Sequence, residues 1–460
     1  MKLGKKDWKQ AIIEDLRDTS NPYPIGDGDH GQITPSDYTE NGIPYIRVKD
    51  IVDNEIMVKK LVHISEKTHN ENRKSHLHPD DLLITKTGSI GKVAIIPKEI
   101  LKSNTTSSVG KISFDKNKID PFYVYHYFRT SYFQKYVNSI SERSIQKGFN
   151  ILDLKKFIVP IPKSNSNQKE IVSVLNLVDD IKKNHKKAMK FVEQLTYSII
   201  NQISTGKLTE KFREKLEEES AKKLIEQINL ERLQNYEISK SKKRNKVKKL
   251  SKPKLCEKPQ PYSIKNWCLV PLETLVEKIV DCPHSTPKWA ESGMICVRTN
   301  QFKPFKLDLN NSKYVDQKTF DYRTERLRPK SGDILYSREG AILGVACQIP
   351  EDVELCMGQR MMLIRCNEKW LKKDYLTAIL NSEFIKHQIS TKIAGTASPH
   401  LNVQDVKSFL IPVPPLKEQE RIVNILENTI NLKNKLKNVN INDIYTSIQS
   451  KIFSSWYDSN

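Results

Sequence analysis

Residues 150–162 read Asn-Ile-Leu-Asp-Leu-Lys-Lys-Phe-Ile-Val-Pro-Ile-Pro, and residues 402–414 read Asn-Val-Gln-Asp-Val-Lys-Ser-Phe-Leu-Ile-Pro-Val-Pro. Six of these 13 positions are identical, and five more exchange only Ile, Leu and Val. Ordinary composition gives about one identity by chance. The offset persists outward from this stretch. Gly42 and Arg47 recur 251 residues on as Gly293 and Arg298, and Asp81 and Gly88 recur 252 on as Asp333 and Gly340. Gln168, Ile171, Val172 and Leu175 recur as Gln419, Ile422, Val423 and Leu426. A looser match joins Asp27, His30, Thr34 and Pro35 to Asp281, His284, Thr286 and Pro287, and Trp8 and Trp267 open the two copies. A near-constant offset over such a length is the mark of a duplication.

Each copy has a globular part and a helical part. In the first, short apolar runs alternate with Gly, Pro and Asn breaks. Residues 43–48, 81–85, 333–337 and 361–365 read as strands, and residues 121–136 and 373–389 as helices. The expected class is a mixed α/β (α+β) domain with mixed or antiparallel sheets. Beyond Gln168, two sets of positions repeat at heptad spacing. One is Ile171, Val178, His185, Val192 and Ile199; the other is Val174, Ile181, Ala188, Leu195 and Gln202. Eight of the ten are apolar, which predicts a coiled-coil seam. The second copy offers Ile422, Ile425, Thr429, Leu432, Leu436 and Val439, then slips phase near Asn440. Prolines 160, 162, 412, 414 and 415 mark the junctions, because proline interrupts regular structure.

At 460 residues the chain has room for two or three domains, and a hydrophobic content of 37% supports buried cores. A net charge of +21 points to a polyanionic partner. Nine Lys or Arg crowd residues 240–254 without an acid, a composition suited to a solvated linker or to phosphate contact. No run reaches the roughly 20 apolar residues of a membrane span. The opening Met1-Lys2-Leu3-Gly4-Lys5-Lys6 has no apolar stretch behind it, as a secretory signal requires. Seven cysteines, without a Cys-x-x-Cys pair, argue against a disulfide framework or a zinc site. The expectation is a cytoplasmic protein with reduced thiols and no metal.

Enzyme signatures fail on inspection. Lys86-Thr87-Gly88-Ser89-Ile90-Gly91-Lys92-Val93 has Lys86 where a phosphate-binding loop needs glycine, and Val93 where it needs Ser or Thr. Asn21-Pro22-Tyr23-Pro24 has the wrong order for an adenine-methyltransferase motif, and no glycine-rich cofactor loop stands beside it. What remains is a set of candidate DNA contacts. The paired Asp27/His30 and Asp281/His284 motifs suit either a capped turn or a loop presented to DNA. The glycine turns carrying Lys86, Thr87 and Ser89 in one copy and Ser337 and Arg338 in the other follow strands at equivalent positions. There glycine permits close backbone approach, and the neighbours donate to phosphates or bases. Arg338 is expected to reach guanine in the major groove. Thr105, in the polar run of residues 104–108, and Gln359-Arg360 are approximate counterparts. Thr34, Arg47, Lys147, Thr286, Arg298 and His400 complete the set. An ordinary hairpin explains the glycines equally well. No residue reads as catalytic.

Two α/β domains, each followed by a long helix in one basic chain, resemble the specificity subunits of type I restriction–modification enzymes. The resemblance runs over essentially the whole chain. It rests on residues 150–162, Gln168-Lys169-Glu170-Ile171-Val172, residues 198–209 and their second-copy partners. Pro414-Pro415-Leu416-Lys417-Glu418-Gln419-Glu420-Arg421-Ile422-Val423 is especially typical. The resemblance implies target recognition domains at residues 1–165 and 262–415. A central helical region would fill residues 166–240, a basic linker 241–261 and a second helical region 416–460. The two helices would form an antiparallel coiled coil with pseudo-twofold symmetry. It further implies that the chain reads a bipartite double-stranded DNA site, one domain per half, and catalyses nothing itself. Two methyltransferase subunits, and restriction–translocase subunits through them, would be its partners. S-adenosylmethionine, ATP and Mg²⁺ would serve those partners, with no cofactor on this chain. As one helix, residues 168–203 span roughly 54 Å, ample for half-sites about 34 Å apart.

Two other classes compete. A stand-alone nuclease or DNA methyltransferase needs a carboxylate cluster on a strand, or a cofactor loop, and neither is recognisable. A coiled-coil scaffold leaves two elaborate basic domains without a role.

Overall fold

The computed structural model describes residues 7–142, 147–215, 220–242, 252–340, 342–393 and 399–457. Most of the lysine-rich run, residues 243–251, and the opening six residues lie outside that set. The chain divides into two compact units, one of residues 1–187 with 439–460, the other of residues 188–438.

The first unit is built on antiparallel pairing. Trp8–Ile12 runs against Ile158–Pro162, so the sequence that announces the repeat closes the globular part. A four-stranded sheet orders Val93–Ile95, Leu82–Thr85, Val109–Ile112 and Ile25–Asp27. A five-stranded sheet orders Tyr38–Thr39, Val62–Ile64, Ile43–Ile46, Ser103–Thr105 and His76–Leu77, with one parallel pairing between Ile43–Ile46 and Ser103–Thr105. The second unit repeats the plan. Cys268–Pro271 pairs with Leu410–Val413, and Lys278–Asp281, Met361–Arg365, Ile334–Ser337 and Ala346–Gln348 follow one another in a six-stranded sheet. Asp27 pairs with Gly110 in one unit and Asp281 with Met362 in the other, 252 residues beyond Gly110. The runs at 121–136 and 373–389 each become two helices, Pro121–Phe128 with Ser131–Ser141 and Lys373–Leu380 with Glu383–Ile393. Thr130 breaks the first run, because its side chain accepts the Phe133 N–H and so starts a new helix.

The helix Asn165–Gln202 is continuous over 38 residues, about 57 Å. In the first unit it buries Ile171, Val172, Leu175 and Val178 in the core that also holds Trp8, Tyr123 and Tyr127. Val174 and Ile181, expected in the seam, are 39% and 49% exposed. Of the second-copy positions, Leu432 is 45% exposed, whereas Ile422 is buried and Ile425 is half-buried against the second unit's core. The strict heptad reading is corrected here. The buried stripe is wider than a coiled-coil seam, because the helix packs against a globular core, which takes i, i+1 and i+4 neighbours together. Val192 and Ile199 are buried in the second unit, where Leu195 is half-buried and Leu436 is half-exposed.

In that unit the helices run antiparallel. Glu193 faces Lys433 at 3.3 Å, while Thr209, further on, donates to Glu418, further back, at 2.5 Å. The phase slip near Asn440 is a physical break between Leu416–Lys437 and Ile441–Tyr457. This corrects the expectation of one C-terminal region, since the first of these helices belongs to the second unit and the last to the first. Tyr445, Phe453 and Trp456 sit in the first unit's core, with Phe453 5.9 Å from Trp8 between ring centres. Likewise the central region is not one body. Ala221–Lys242 packs on the second unit, where Arg232 donates to the carbonyls of Glu273, Thr274 and Val276.

Candidate nucleic-acid interface

Four segments meet at one edge of the first unit. Lys86 N–H donates to Ser108 O at 2.8 Å, and Thr87 bridges to Gly148. Gly28 lies so near Thr106 that a Cβ there would stand 2.0 Å from its carbonyl carbon. The second unit assembles the same edge from its own chain. Arg338 N–H donates to Arg360 O at 3.0 Å, Glu339 bridges to His400, and the Gln359 amide donates to His284 O at 2.6 Å.

At the centre of each edge an aspartate joins a buried cation to an exposed histidine. In the first, Asp27 takes the Lys86 ammonium and lies 3.5 Å from His30 Nε2. In the second, Asp281 takes Arg338 Nε at 3.1 Å and lies 3.1 Å from His284 Nε2. The histidine side chains are 61% and 71% exposed, whereas those of Lys86 and Arg338 are 7% and 6% exposed.

Those burials correct several expected contacts. Arg338 does not reach out to guanine: its guanidinium is spent on Asp281, Glu339 and the Leu401 carbonyl. Lys86 is likewise turned inward, because a buried cation without a counter-charge is strongly unfavourable. Thr105 and Ser337 are fully buried and give their hydroxyls to the carbonyls of Ile46 and Ile342. Both lie on strands that are buried along their whole length. Arg47 is held by Asp50 through two bonds, 2.8 and 3.0 Å, and that carboxylate pushes its guanidinium further up. Its counterpart Arg298 is half-buried and donates to Asn311 O at 3.3 Å.

The exposed remainder forms two polar surfaces. His30, Thr87, Ser89 and Lys147 are exposed on the first edge, with Thr34 on the following turn. His284, Thr286, Arg360 and His400 are exposed on the second, and Gln359 is half-buried. Glu339 lies 3.6 Å from Arg360 and so steadies the one exposed guanidinium of that edge among the described candidates. Gly88 and Gly340, both at positive φ, have open space where a side chain would project. The turns thus leave room for a ligand backbone.

Two organising residues escaped the sequence reading. Asp29, 4% exposed, accepts from Gly31, Ile33 and Ser107 N–H groups and from the Tyr45 hydroxyl. Arg323, 3% exposed, donates to four backbone carbonyls around the second edge. The Asp-Gly-Asp-His-Gly run hinted at the first; nothing in the sequence marked the second. Among the described residues, no group of three or more His, Cys, Asp or Glu is placed to hold a metal ion. No described helix is long and apolar enough to cross a membrane. All seven cysteines are free thiols.

The scaffold is duplicated, and each copy presents an exposed polar edge. Comparison with known proteins places it further. The type I restriction modification DNA specificity domain family matches residues 25–194 and 298–445. The chain belongs to this family and carries two matches to its domain. It is 30% identical over 239 residues to the type I restriction enzyme EcoBI specificity subunit of Escherichia coli, a match over 50% of this chain and 49% of that one. The chain therefore spans about half the length of that relative. The MjaIX specificity subunit of Methanocaldococcus jannaschii is 23% identical over 428 residues, 90% of this chain and 85% of that one. A chain solved in work on complex assembly and conformational transition of the type I R-M system has a TM-score of 0.54 at 14% identity, covering 97% of both chains. That likeness shows the shared fold.

Proposed function

We propose that the two edges read the two halves of a bipartite double-stranded DNA target, one unit per half, and that the chain catalyses no reaction itself. The observation that carries this reading is the equivalence of the edges. Both units build the same aspartate-held histidine and glycine turn, then surround it with different exposed side chains. Equivalent frames with different side chains suit two readers of different sequence, since base edges are read by side chains and phosphates by backbone and cations. The +21 charge supplies the nonspecific attraction.

The partners in this reading are two methyltransferase subunits, with restriction–translocase subunits joined through them, in the cytoplasm. S-adenosylmethionine would act on the methyltransferase subunits, and ATP and Mg²⁺ on the translocases. This chain's own task is then to position the duplex and to fix the spacing of its halves.

The test is an exchange of residues 262–415 for the equivalent domain of a relative, read by long-read mapping of methylated adenines in cells. One half of the methylated motif should change, with the other half and the spacer fixed. A change in both halves at once would sink the two-reader reading.

A further inference from the structure

His284 sits in a segment whose carbonyls are turned inward. Pro283 O accepts from Arg323 Nη2 at 3.2 Å, Ser285 O from Arg323 Nη1 at 3.0 Å, and His284 O from the Gln359 amide at 2.6 Å. The same guanidinium donates to Met357 O at 2.6 Å and Gly358 O at 2.7 Å, immediately before Gln359 and Arg360. Arg323 therefore ties together the two segments that carry the exposed groups of the second edge. It comes from the helix Gln317–Thr324, where Phe320, Arg323 and Thr324 are the buried residues. Among the described residues no carboxylate stands within 4.0 Å of its guanidinium, so its donors go to backbone alone.

The first unit does the same work with the opposite charge. Asp29, next to His30, gathers three N–H groups and a hydroxyl around one buried carboxylate. Where Asp29 stands in the first copy, the second has Pro283. A proline has neither a carboxylate nor an N–H. The loop is then held from its carbonyl side, which calls for a donor with several divergent hydrogens. A guanidinium presents five in a fixed plane, and an ammonium only three from one point.

We propose that Arg323 is a positioning residue for DNA recognition: it fixes His284, Gln359 and Arg360 as one rigid reading surface and thereby sets the selectivity of the second unit for its half-site. This rests on the reading of the edge given above. Positioning of this kind governs discrimination more than bulk affinity, because a loosened contact still attracts phosphate but tolerates the wrong base.

The experiment uses the assembled methyltransferase complex carrying Arg323→Lys or Arg323→Met. Methylation rates are compared on a cognate duplex and on duplexes with one changed base pair in either half-site, alongside thermal unfolding and nonspecific DNA affinity. Arg323→Lys should reduce discrimination at the second unit's half-site about tenfold, the order of one base pair's contribution. Discrimination at the first half-site and nonspecific affinity should stay put. Arg323→Met should follow the same direction more strongly; if it fails to fold, the lysine variant decides. Unchanged discrimination in Arg323→Lys, or equal loss at both half-sites, overturns the proposal. Arg360→Ala and His284→Ala separate the two layers. If neither alters second-half discrimination, the edge is not the reader and the proposal falls with it. If they alter it and Arg323→Lys does not, the positioning role alone is wrong.

Discussion

The Asp281 carboxylate lies 3.1 Å from Nε of Arg338, and Asp27 takes the Lys86 ammonium at the equivalent place in the first unit. The cation that follows each glycine-turn strand is thus a strut for the loop bearing the histidine. Its charge is neutralised within the protein. Arg338→Met should destabilise the second unit by about 3 kcal/mol, because it takes the cation from Asp281, which keeps only His284, and the donor from the buried Leu401 carbonyl. Arg360→Ala should leave stability within about 0.5 kcal/mol. Chemical denaturation separates the two, and a stable Arg338→Met variant would contradict the strut.

Binding should show the complementary pattern. Arg360→Ala should weaken binding by about 1–3 kcal/mol and relax one position of the second half-site if the guanidinium meets a base edge. A uniform loss across sequences would assign it to phosphate instead. Competition binding with a panel of single-base variants makes the distinction.

Affinity of the assembled complex for duplex should fall linearly on a log–log salt plot, with a slope of about −0.9 per phosphate neutralised. Lys147→Ala, on the first edge, should make that slope shallower by about one. Filter binding or anisotropy between low and moderate salt reads both, and a flat plot would rule out a phosphate-dominated interface.

The helices should tolerate charge unevenly. Ile199→Asp places a carboxylate in the second unit's core and should strongly destabilise it, since an unpaired buried charge is among the costliest changes. Ile181→Asp, at a 49% exposed position, should leave the chain's own unfolding midpoint nearly unchanged. Equal effects would restore the strict seam.

His126 makes the first unit acid-sensitive. It is fully buried, and burial pushes its imidazole down to about 4. Its Nδ1 meets the Tyr445 hydroxyl and its Nε2 meets Asn176, while its carbonyl accepts from Gln449. The unfolded chain binds a proton near pH 6.5, whereas the folded one resists until about pH 4. Stability should therefore fall as pH drops from 6.5 to 4, by up to about 1.4 kcal/mol per pH unit from this residue. His126→Gln should flatten that slope in pH-dependent melting curves; an unaltered slope would place the sensitivity elsewhere.

How much of this was legible depends on where the information sits. The duplication, the strands near Ile84 and Leu335 and the long helix are written in local pattern, so they could be read directly. The exposed histidines could be listed as candidates because they fall in matching motifs. Lys86 and Arg338 misled for a physical reason: a cation beside a glycine turn looks like a phosphate contact until its carboxylate is seen, and those carboxylates lie 59 and 57 residues away in the chain. Strand parity carried no signal for Thr105 and Ser337, since both faces of their strands are buried. Arg323 had none, because its partners are backbone carbonyls, which every sequence supplies. The splitting of the C-terminal region was equally hidden, since periodicity shows that a helix is amphipathic without saying which core receives its apolar face.

The contact between Trp8 and Phe453 sets a schedule. The first unit contains the strand Trp8–Ile12 and also the helix Ile441–Tyr457, and the whole second unit lies between them in sequence. Domains usually mature in the order they are made, at about 5–20 residues per second. Here the first reader must wait while the whole second unit is synthesised, on the order of tens of seconds at those speeds. Until then its aromatic core stands open where Tyr445, Phe453 and Trp456 will settle. An interrupted product lacking that helix would carry a finished second reader beside an unfinished first one. The first unit thus becomes complete only on chains translated through Ile441–Tyr457, well after the second.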